Sequence, residues 1–86
     1  MTTGTGSTII VRTPESDAIA ALAYNRKTAR LRIKFTSGHT WSYPACSRQR
    51  FVAFRDSSSK GRFYNFKFRP LFRGSGRRVY GAAAIA

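Results

Sequence analysis

The chain has 86 residues, of which 16 are Lys or Arg and 3 are Asp or Glu, so its formal net charge at pH 7 is +13. A core of this size buries only about 60% of the unfolded chain's surface, which fits one domain and excludes a multidomain enzyme with a deep substrate cleft. Hydrophobic residues make up 42% of the sequence and aromatic residues 14%, too much for a disordered basic tail. The composition therefore predicts one small folded domain whose charge serves a polyanionic partner.

The reactive and metal-binding residue types are scarce, since the sequence has one cysteine, Cys46, and one histidine, His39. A single cysteine cannot form an internal disulfide, and a structural zinc site takes four ligands of the Cys or His type. No apolar run approaches the roughly 18 residues that spanning a bilayer requires, and residues 1–7 lack the pattern of a secretory signal. We therefore expect a cytoplasmic protein without metal, cofactor or membrane association.

The sequence divides into three segments. Residues 1–15 are expected to be flexible, since residues 2–7 are all Thr, Gly or Ser, although the β-branched run Thr8–Arg12 is compatible with a short edge strand. Residues 16–72 are expected to form the folded domain. Residues 73–86 contain glycines and show no hydrophobic period, so they are expected to form a flexible basic tail.

Two parts of the domain show strand patterns. Residues 18–24 are compatible with a strand or a short helix, because alanine leaves the choice open. Residues 30–36 alternate strictly between apolar and basic side chains, which predicts a strand with one buried face. Ser37 and Gly38 are turn residues, so residues 39–43 are expected to return as the second strand of a hairpin.

This hairpin has two possible registers. A two-residue turn at Ser37 and Gly38 would place Lys34 opposite Trp41 and gather basic and aromatic side chains on one face, a platform that stacks unpaired bases. A three-residue loop with Gly38 in a left-handed bulge would place Ile33 opposite Trp41. Its apolar face would consist of Leu31, Ile33, Phe35, Trp41 and Tyr43, and its solvated basic face of Arg32, Lys34, Thr40 and Ser42. We favour the second register because it assembles one complete apolar set for the core.

The period of the hydrophobic pattern changes after Pro44. Ser47 is a suitable N-cap for a helix over residues 48–55, on which Phe51 and Phe54 share one face. The Asp-Ser-Ser-Ser loop that follows can cap a second short element. The expected fold is α+β, with a small antiparallel sheet of about three strands packed against one or two short helices.

Residues 60–72 interleave aromatic and basic side chains and are compatible with either a helix or a strand. Pro70 is expected to end either one. The aromatic residues of this stretch are Phe63, Tyr64, Phe66, Phe68 and Phe72. Five exceed what so small a core needs from one stretch, so we expect two or three to be buried and Tyr64 to be exposed. The equal alternative is that all five pack in the core and the basic residues form only a solvated face.

Short motifs follow one another in a fixed order from Ser16 to Phe72. In chain order they use Ile19, Leu22 and Tyr24; Leu31, Ile33, Phe35 and Gly38; Trp41, Ser42 and Tyr43; and Ser59, Lys60, Gly61, Phe63, Asn65 and Arg69. In these motifs the chain resembles the KTSC domain, a small bacterial and phage module named after the C-terminus of some lysyl-tRNA synthetases. The family's central Tyr-x-Tyr has Trp41 as its first aromatic here, and Ser47 replaces the usual Pro at the helix start. The resemblance implies an α+β domain of bacterial or phage origin and supplies no catalytic residues.

Catalysis is not expected from this sequence. His39, Cys46 and Asp56 are the residue types of a nucleophile–base–acid set, but nothing in their spacing brings them together. Residues 57–61 lack the spacing of a phosphate loop. Their backbone N–H groups, with Lys60 and Arg62, could still hold one phosphate of a nucleic acid.

The charge pattern favours a nucleic-acid-binding module, with RNA preferred to DNA. Twelve of the sixteen basic residues are arginine, whose guanidinium pairs with phosphate bidentately and stacks on bases. The candidate contact residues are Arg32, Lys34, Lys60, Arg62, Tyr64, Lys67 and Arg69. No helix-turn-helix, zinc-finger or RRM signature supports base-specific reading. The alternative is a small bacterial or phage-encoded protein that binds and modulates an acidic host protein through the same positive surface.

Overall fold

The computed structural model describes residues 8–81, 84 and 85. One antiparallel sheet of five strands follows the chain order β1-β2-β3-β4-β5. The strands are β1 (Thr8–Arg12), β2 (Ile19–Asn25), β3 (Arg30–Phe35), β4 (Thr40–Tyr43) and β5 (Arg77–Val79). Between β4 and β5 lie α1 (Arg48–Asp56), α2 (Lys60–Phe63), a π-helical turn (Tyr64–Phe68) and α3 (Arg69–Phe72). The last three follow one another without a gap and are called the helical run 60–72. The α+β class is confirmed, with five strands instead of about three.

The β3–β4 hairpin has the favoured register. Ile33 pairs with Trp41 and Leu31 with Tyr43. The loop closes through the Gly38 N–H, which donates to the Phe35 carbonyl at 2.9 Å. Gly38 has a φ of 100°, a backbone conformation that glycine adopts without steric cost. The three-residue loop therefore directs the apolar side chains of β3 and β4 to the same side of the sheet.

The core lies between this apolar side, called the helical face, and the helices. The Phe51 ring of α1 stacks on Tyr24 of β2 with 4.6 Å between ring centroids. Phe68 of the helical run meets the Tyr43 ring edge-on at 5.0 Å. The fully buried side chains of the helical face and helices include Ile19, Leu22, Leu31, Ile33, Phe51, Phe54 and Phe68. Two residues expected in the core, Phe35 and Trp41, are half-buried and pack against its margin.

Serine side chains begin both helical segments. The Ser47 hydroxyl accepts from the Arg50 backbone N–H at 3.1 Å, and the Ser59 hydroxyl accepts from the Arg62 N–H at 3.3 Å. These bonds satisfy N–H groups that have no partner within the helix. The expected caps are confirmed, and α1 extends one residue beyond the predicted end, to Asp56.

Residues 60–72 are helical, which settles the choice left open by their pattern. The prediction that Pro70 ends the element is wrong, because α3 continues to Phe72. Pro70 lies in the first turn of α3, where a backbone N–H is dispensable. The preceding π-helical turn connects α2 to α3, and at its end the Arg69 N–H donates to the Tyr64 carbonyl.

Both terminal segments contribute strands at the edges of the sheet. β1 confirms the edge strand considered for Thr8–Arg12. Within the expected basic tail, Arg77–Val79 forms β5 against β4. Ile85 is buried, packs in one cluster with Ala21 and Ala23, and donates its N–H to the Thr40 hydroxyl at 3.2 Å. Residues 1–7, 82, 83 and 86 of the two expected tails lie outside the described residues.

Two phenylalanines of the helical run test the packing. Phe68 is 0% exposed and stacks on Phe72 at 4.3 Å between centroids, whereas Phe66 is 73% exposed. Phe68→Ala should lower the free energy of unfolding by about 3–5 kcal/mol, a large part of the stability of so small a domain. Phe66→Ala removes the same side chain from the surface and should change the free energy by less than about 0.5 kcal/mol. Urea denaturation of both variants measures this, and equal losses would contradict the described core.

Candidate nucleic-acid interface

The side of the sheet opposite the helices carries a cluster of cations. Residues paired across neighbouring strands direct their side chains to the same face. Arg32 of β3 is opposite Ala23 on one side and Ser42 on the other, and Ser42 is opposite Arg77 of β5. The same pairing places Arg12, Arg30, Arg32, Lys34 and Arg77 on one side, called the basic face. Sequence-predicted Arg32 and Lys34 both belong to it.

Small side chains form the floor between these cations. Ala21, Ala23, Thr40 and Ser42 are buried. The expectation that Thr40 and Ser42 lie on a solvated surface is therefore wrong. Arg30 covers Ser42, donating from Nη1 to the hydroxyl at 3.0 Å, and the Ile85 N–H covers Thr40. Above this floor a groove of about 380 Å³ runs between β3 and β5, lined by Arg30, Arg32, Ser42 and Arg77 among others.

The acidic residues lie outside the strands that form the basic face. The chain has 3 acidic residues, and all of them lie in loops or at a helix end. Glu15 lies 3.5 Å from the Lys60 ammonium, and Asp17 lines the same pocket. Asp56 pairs with Arg55 at 2.8 Å, a contact that lowers the pKa of the Asp56 carboxyl. No acidic side chain stands on the strands, so no strand residue offsets the positive field of the basic face.

Lys60, another predicted contact residue, has a structural position. Its side chain is buried, and its ammonium donates to the Ser57 carbonyl at 2.7 Å. The Glu15 carboxylate beside it makes this pocket unfavourable for a phosphate. The loop that sequence reasoning considered for phosphate therefore serves to connect α1 to the helical run.

The other predicted residues lie on the helical run, on the opposite side of the molecule from the basic face. Arg62 and Lys67 are exposed and line a groove with Phe63 and Phe66. Within the helical run, the exposed aromatic residue is Phe66, at 73%, in place of the predicted Tyr64.

Tyr64 and Arg69 line a different cleft of the helical run. The Tyr64 hydroxyl lies 3.1 Å from the Tyr43 hydroxyl, and the Tyr64 ring meets Phe35 edge-on, so the side chain is half-buried. The structure thus places the predicted contact residues in four locations: the basic face, the pocket that holds Lys60, the groove lined by Arg62 and Lys67, and this cleft.

Sequence reasoning missed three members of the basic face, Arg12, Arg30 and Arg77. Arg12 lies on β1, and its face depends on the pairing of β1 with β2. Arg30 stands in the same alternation as Arg32 and Lys34, so that pattern could have identified it. Arg77 lies in a strand of only 3 residues. Its face depends on the pairing of β5 with β4, and no local periodicity indicates that pairing.

The residues considered for catalysis have separate surroundings. His39 is exposed at the hairpin loop, Asp56 is paired with Arg55, and Cys46 is fully buried. Burial raises the pKa of the Cys46 thiol to about 11. In the part of the chain that the structure describes, no three His, Cys, Asp or Glu side chains cluster as metal ligands would. Across those same residues, no helix has the length and apolar character to cross a membrane.

Comparison with known proteins identifies a family and a fold. The model of the KTSC domain matches residues 15–72. The fold is similar to the crystal structure of a KTSC domain protein from Yersinia pestis, with a TM-score of 0.74 and 23% sequence identity, over 85% of this chain and 99% of that chain. No curated protein matches the sequence. At this identity the structural likeness shows a shared fold.

The Cys46 thiol gives a test of its surroundings. With a pKa of about 11, roughly one thiol in a thousand is ionised at pH 8. Because the thiolate is the reactive form and Cys46 is buried, the folded protein should react far more slowly with a disulfide reagent such as DTNB than the protein in urea. Rapid labelling of the folded protein at pH 8 would show an accessible, activated cysteine. It would then support a role of Cys46 as a nucleophile.

Proposed function

The chain belongs to the KTSC domain family, and we propose that it binds single-stranded nucleic acid, RNA in preference to DNA, through its basic face. The observation that carries the proposal is the placement of Arg30, Arg32, Lys34 and Arg77 on the side of the sheet away from the helices. Strands in a sheet are about 4.8 Å apart, so Arg32 and Arg77, two strands apart, begin about 10 Å from each other. Such a row can contact several phosphates of one strand.

The chemistry of the basic face favours phosphate over base recognition. A guanidinium has five N–H donors, and Arg30 uses one of its donors on Ser42. The others can bind phosphate oxygens, and charge-assisted bonds of this kind are strong. Among the strand residues whose side chains the register places on this face, none is aromatic. Binding should therefore depend on charge and vary little with base sequence.

The preference for RNA rests on an association. The family takes its name from the C-terminus of some lysyl-tRNA synthetases, which act on RNA. An acidic host protein is the alternative partner, and it would use the same cations. Random-sequence RNA, single-stranded DNA of the same length and an acidic host protein therefore form the three arms of a binding comparison.

Salt dependence tests the proposed mechanism. With about five phosphate contacts, a plot of log K against log[salt] for single-stranded RNA should have a slope near −3.5, at ~0.7 per phosphate. The double substitution Arg32→Gln and Lys34→Gln should flatten the slope by about 1.4. The fold should survive, because neither side chain enters the core. Fluorescence anisotropy of labelled RNA at several salt concentrations measures the slope.

The matched control removes two charges from the other side of the molecule. Arg62→Gln with Lys67→Gln should leave the slope within about 0.5 of the unmodified protein. If this control changes the slope more than the Arg32 and Lys34 variant does, the interface lies on the helical run instead. No binding to RNA at either low or physiological salt, together with saturable 1:1 binding to one acidic host protein, would replace the proposal with the alternative partner.

A further inference from the structure

A second site with basic and aromatic walls lies on the other side of the sheet. A cleft of about 360 Å³ opens between β4, the end of the helical run and the loop that leads to β5. Its walls include Trp41, Tyr43, Tyr64, Arg69, Phe72 and Arg73. The volume is at the lower end of the range for small-molecule sites, about 300–1,000 Å³. It therefore suits one small ligand and not a length of polymer.

Glycines shape the loop that closes the cleft. At Gly76 a Cβ atom would lie 2.5 Å from Cε1 of the Tyr43 ring, so only glycine lets the loop approach this closely. Gly74 has a φ of 81°, in the left-handed region. The backbone at Gly76, just before β5, thus lies against the Tyr43 ring.

Two tyrosine hydroxyls meet at the cleft. The Tyr43 and Tyr64 oxygens are 3.1 Å apart, and either can donate to the other. Burial and this hydrogen bond raise the pKa of Tyr43, so its hydroxyl stays protonated. One of the two protons is used within the pair, which leaves one O–H donor and several lone pairs. A ligand with both donors and acceptors along one edge matches this arrangement.

Arginines supply the complementary charge. Arg69 and Arg73 are exposed and line the cleft, and Arg69 lies close enough to Tyr43 to affect its titration. Arg78 of β5 is opposite Trp41 in the sheet and adds a third cation to this side. Paired guanidinium groups next to an aromatic wall are suited to a phosphate attached to a planar ring.

We propose that this cleft binds one nucleotide, with its base against Trp41 and the tyrosine hydroxyls and its phosphate between Arg69 and Arg73. The base is recognised by stacking and by an edge that can donate and accept hydrogen bonds. The site is separate from the basic face and goes beyond the proposed function. It binds a single nucleotide, whereas the basic face binds the phosphates along a nucleic-acid backbone. The ligand is either a free nucleotide or the 5′-phosphorylated end of a strand.

The single tryptophan of the chain gives a direct readout, because it lines the cleft. Adenosine 5′-monophosphate should quench Trp41 fluorescence saturably. Adenosine alone or inorganic phosphate alone should bind at least about tenfold more weakly, since each lacks one half of the contacts. A 5′-phosphorylated tetranucleotide that binds more tightly than adenosine monophosphate identifies a strand end as the ligand, and the reverse order identifies the free nucleotide; both results support the site.

Matched variants separate this site from the general charge of the protein. Arg69→Gln with Arg73→Gln should weaken adenosine monophosphate binding at least about tenfold, through loss of the charged hydrogen bonds. Arg62→Gln with Lys67→Gln removes the same charge elsewhere on the helical run and should change the affinity by less than about twofold. Equal losses in both variants would show a field effect and overturn the proposal.

A third variant keeps the test valid if the arginine variant fails to fold. Tyr64→Phe retains the ring and removes one hydroxyl, so it should weaken adenosine monophosphate binding while leaving inorganic phosphate binding unchanged. Affinities from calorimetry confirm the fluorescence result. Absence of saturable quenching up to about 10 mM adenosine monophosphate, weaker than any specific site requires, would overturn the proposal. Loss of RNA binding in the Arg32 and Lys34 variant with intact nucleotide binding would show that the two sites act independently.

Discussion

The alternation of side chains between the two faces of β3 is the constraint on which the rest of the structure depends. Gly38 closes a three-residue loop and sets the pairing of Ile33 with Trp41. A shift of one residue would move every side chain of the strand to the other face. Because the apolar set must cover the aromatic rings of α1 and the helical run, Arg32 and Lys34 are held on the opposite side. The same constraint that builds the core therefore creates the basic face.

A formal net charge of +13 on 86 residues opposes compact folding through self-repulsion. An aromatic core offsets this repulsion. In it Phe68 contacts Tyr43, Phe54 and Phe72. Two of the chain's three acidic side chains form ion pairs outside the strands, Glu15 with Lys60 and Asp56 with Arg55. The remaining surface is positive on both sides of the sheet. We interpret the charge as retained for anionic partners, a polymer on one side and one nucleotide on the other.

The sequence predicted those parts of the fold that local patterns determine. Strict alternation identified β3, turn chemistry indicated the register, and Ser47 located the start of α1. Features that depend on contact with another part of the chain, distant in sequence, could not be predicted. β5 exists because β4 offers an edge to a strand of 3 residues. The hydrophobic pattern of residues 60–72 fits both the period of a strand and that of a helix. The segment is helical because in this form it packs against Tyr43. The same packing buries Phe68 and leaves Phe66 exposed, whereas the sequence favoured Tyr64. Lys60 looked like a phosphate ligand because its neighbour Glu15 is distant in sequence.

Methyl NMR during titration with random-sequence single-stranded RNA that carries a 5′-hydroxyl end shows directly which side of the sheet binds the backbone. Ile10 is 54% exposed and stands opposite Ala23, on the basic face. Leu71 is 61% exposed and lies on the helical run, on the other side of the molecule. Similar exposure makes these two side chains a matched pair of reporters. We predict that the Ile10 and Ala23 methyl signals shift with RNA concentration while the Leu71 signals stay in place. Shifts at Leu71 with none at Ile10 or Ala23 would contradict it.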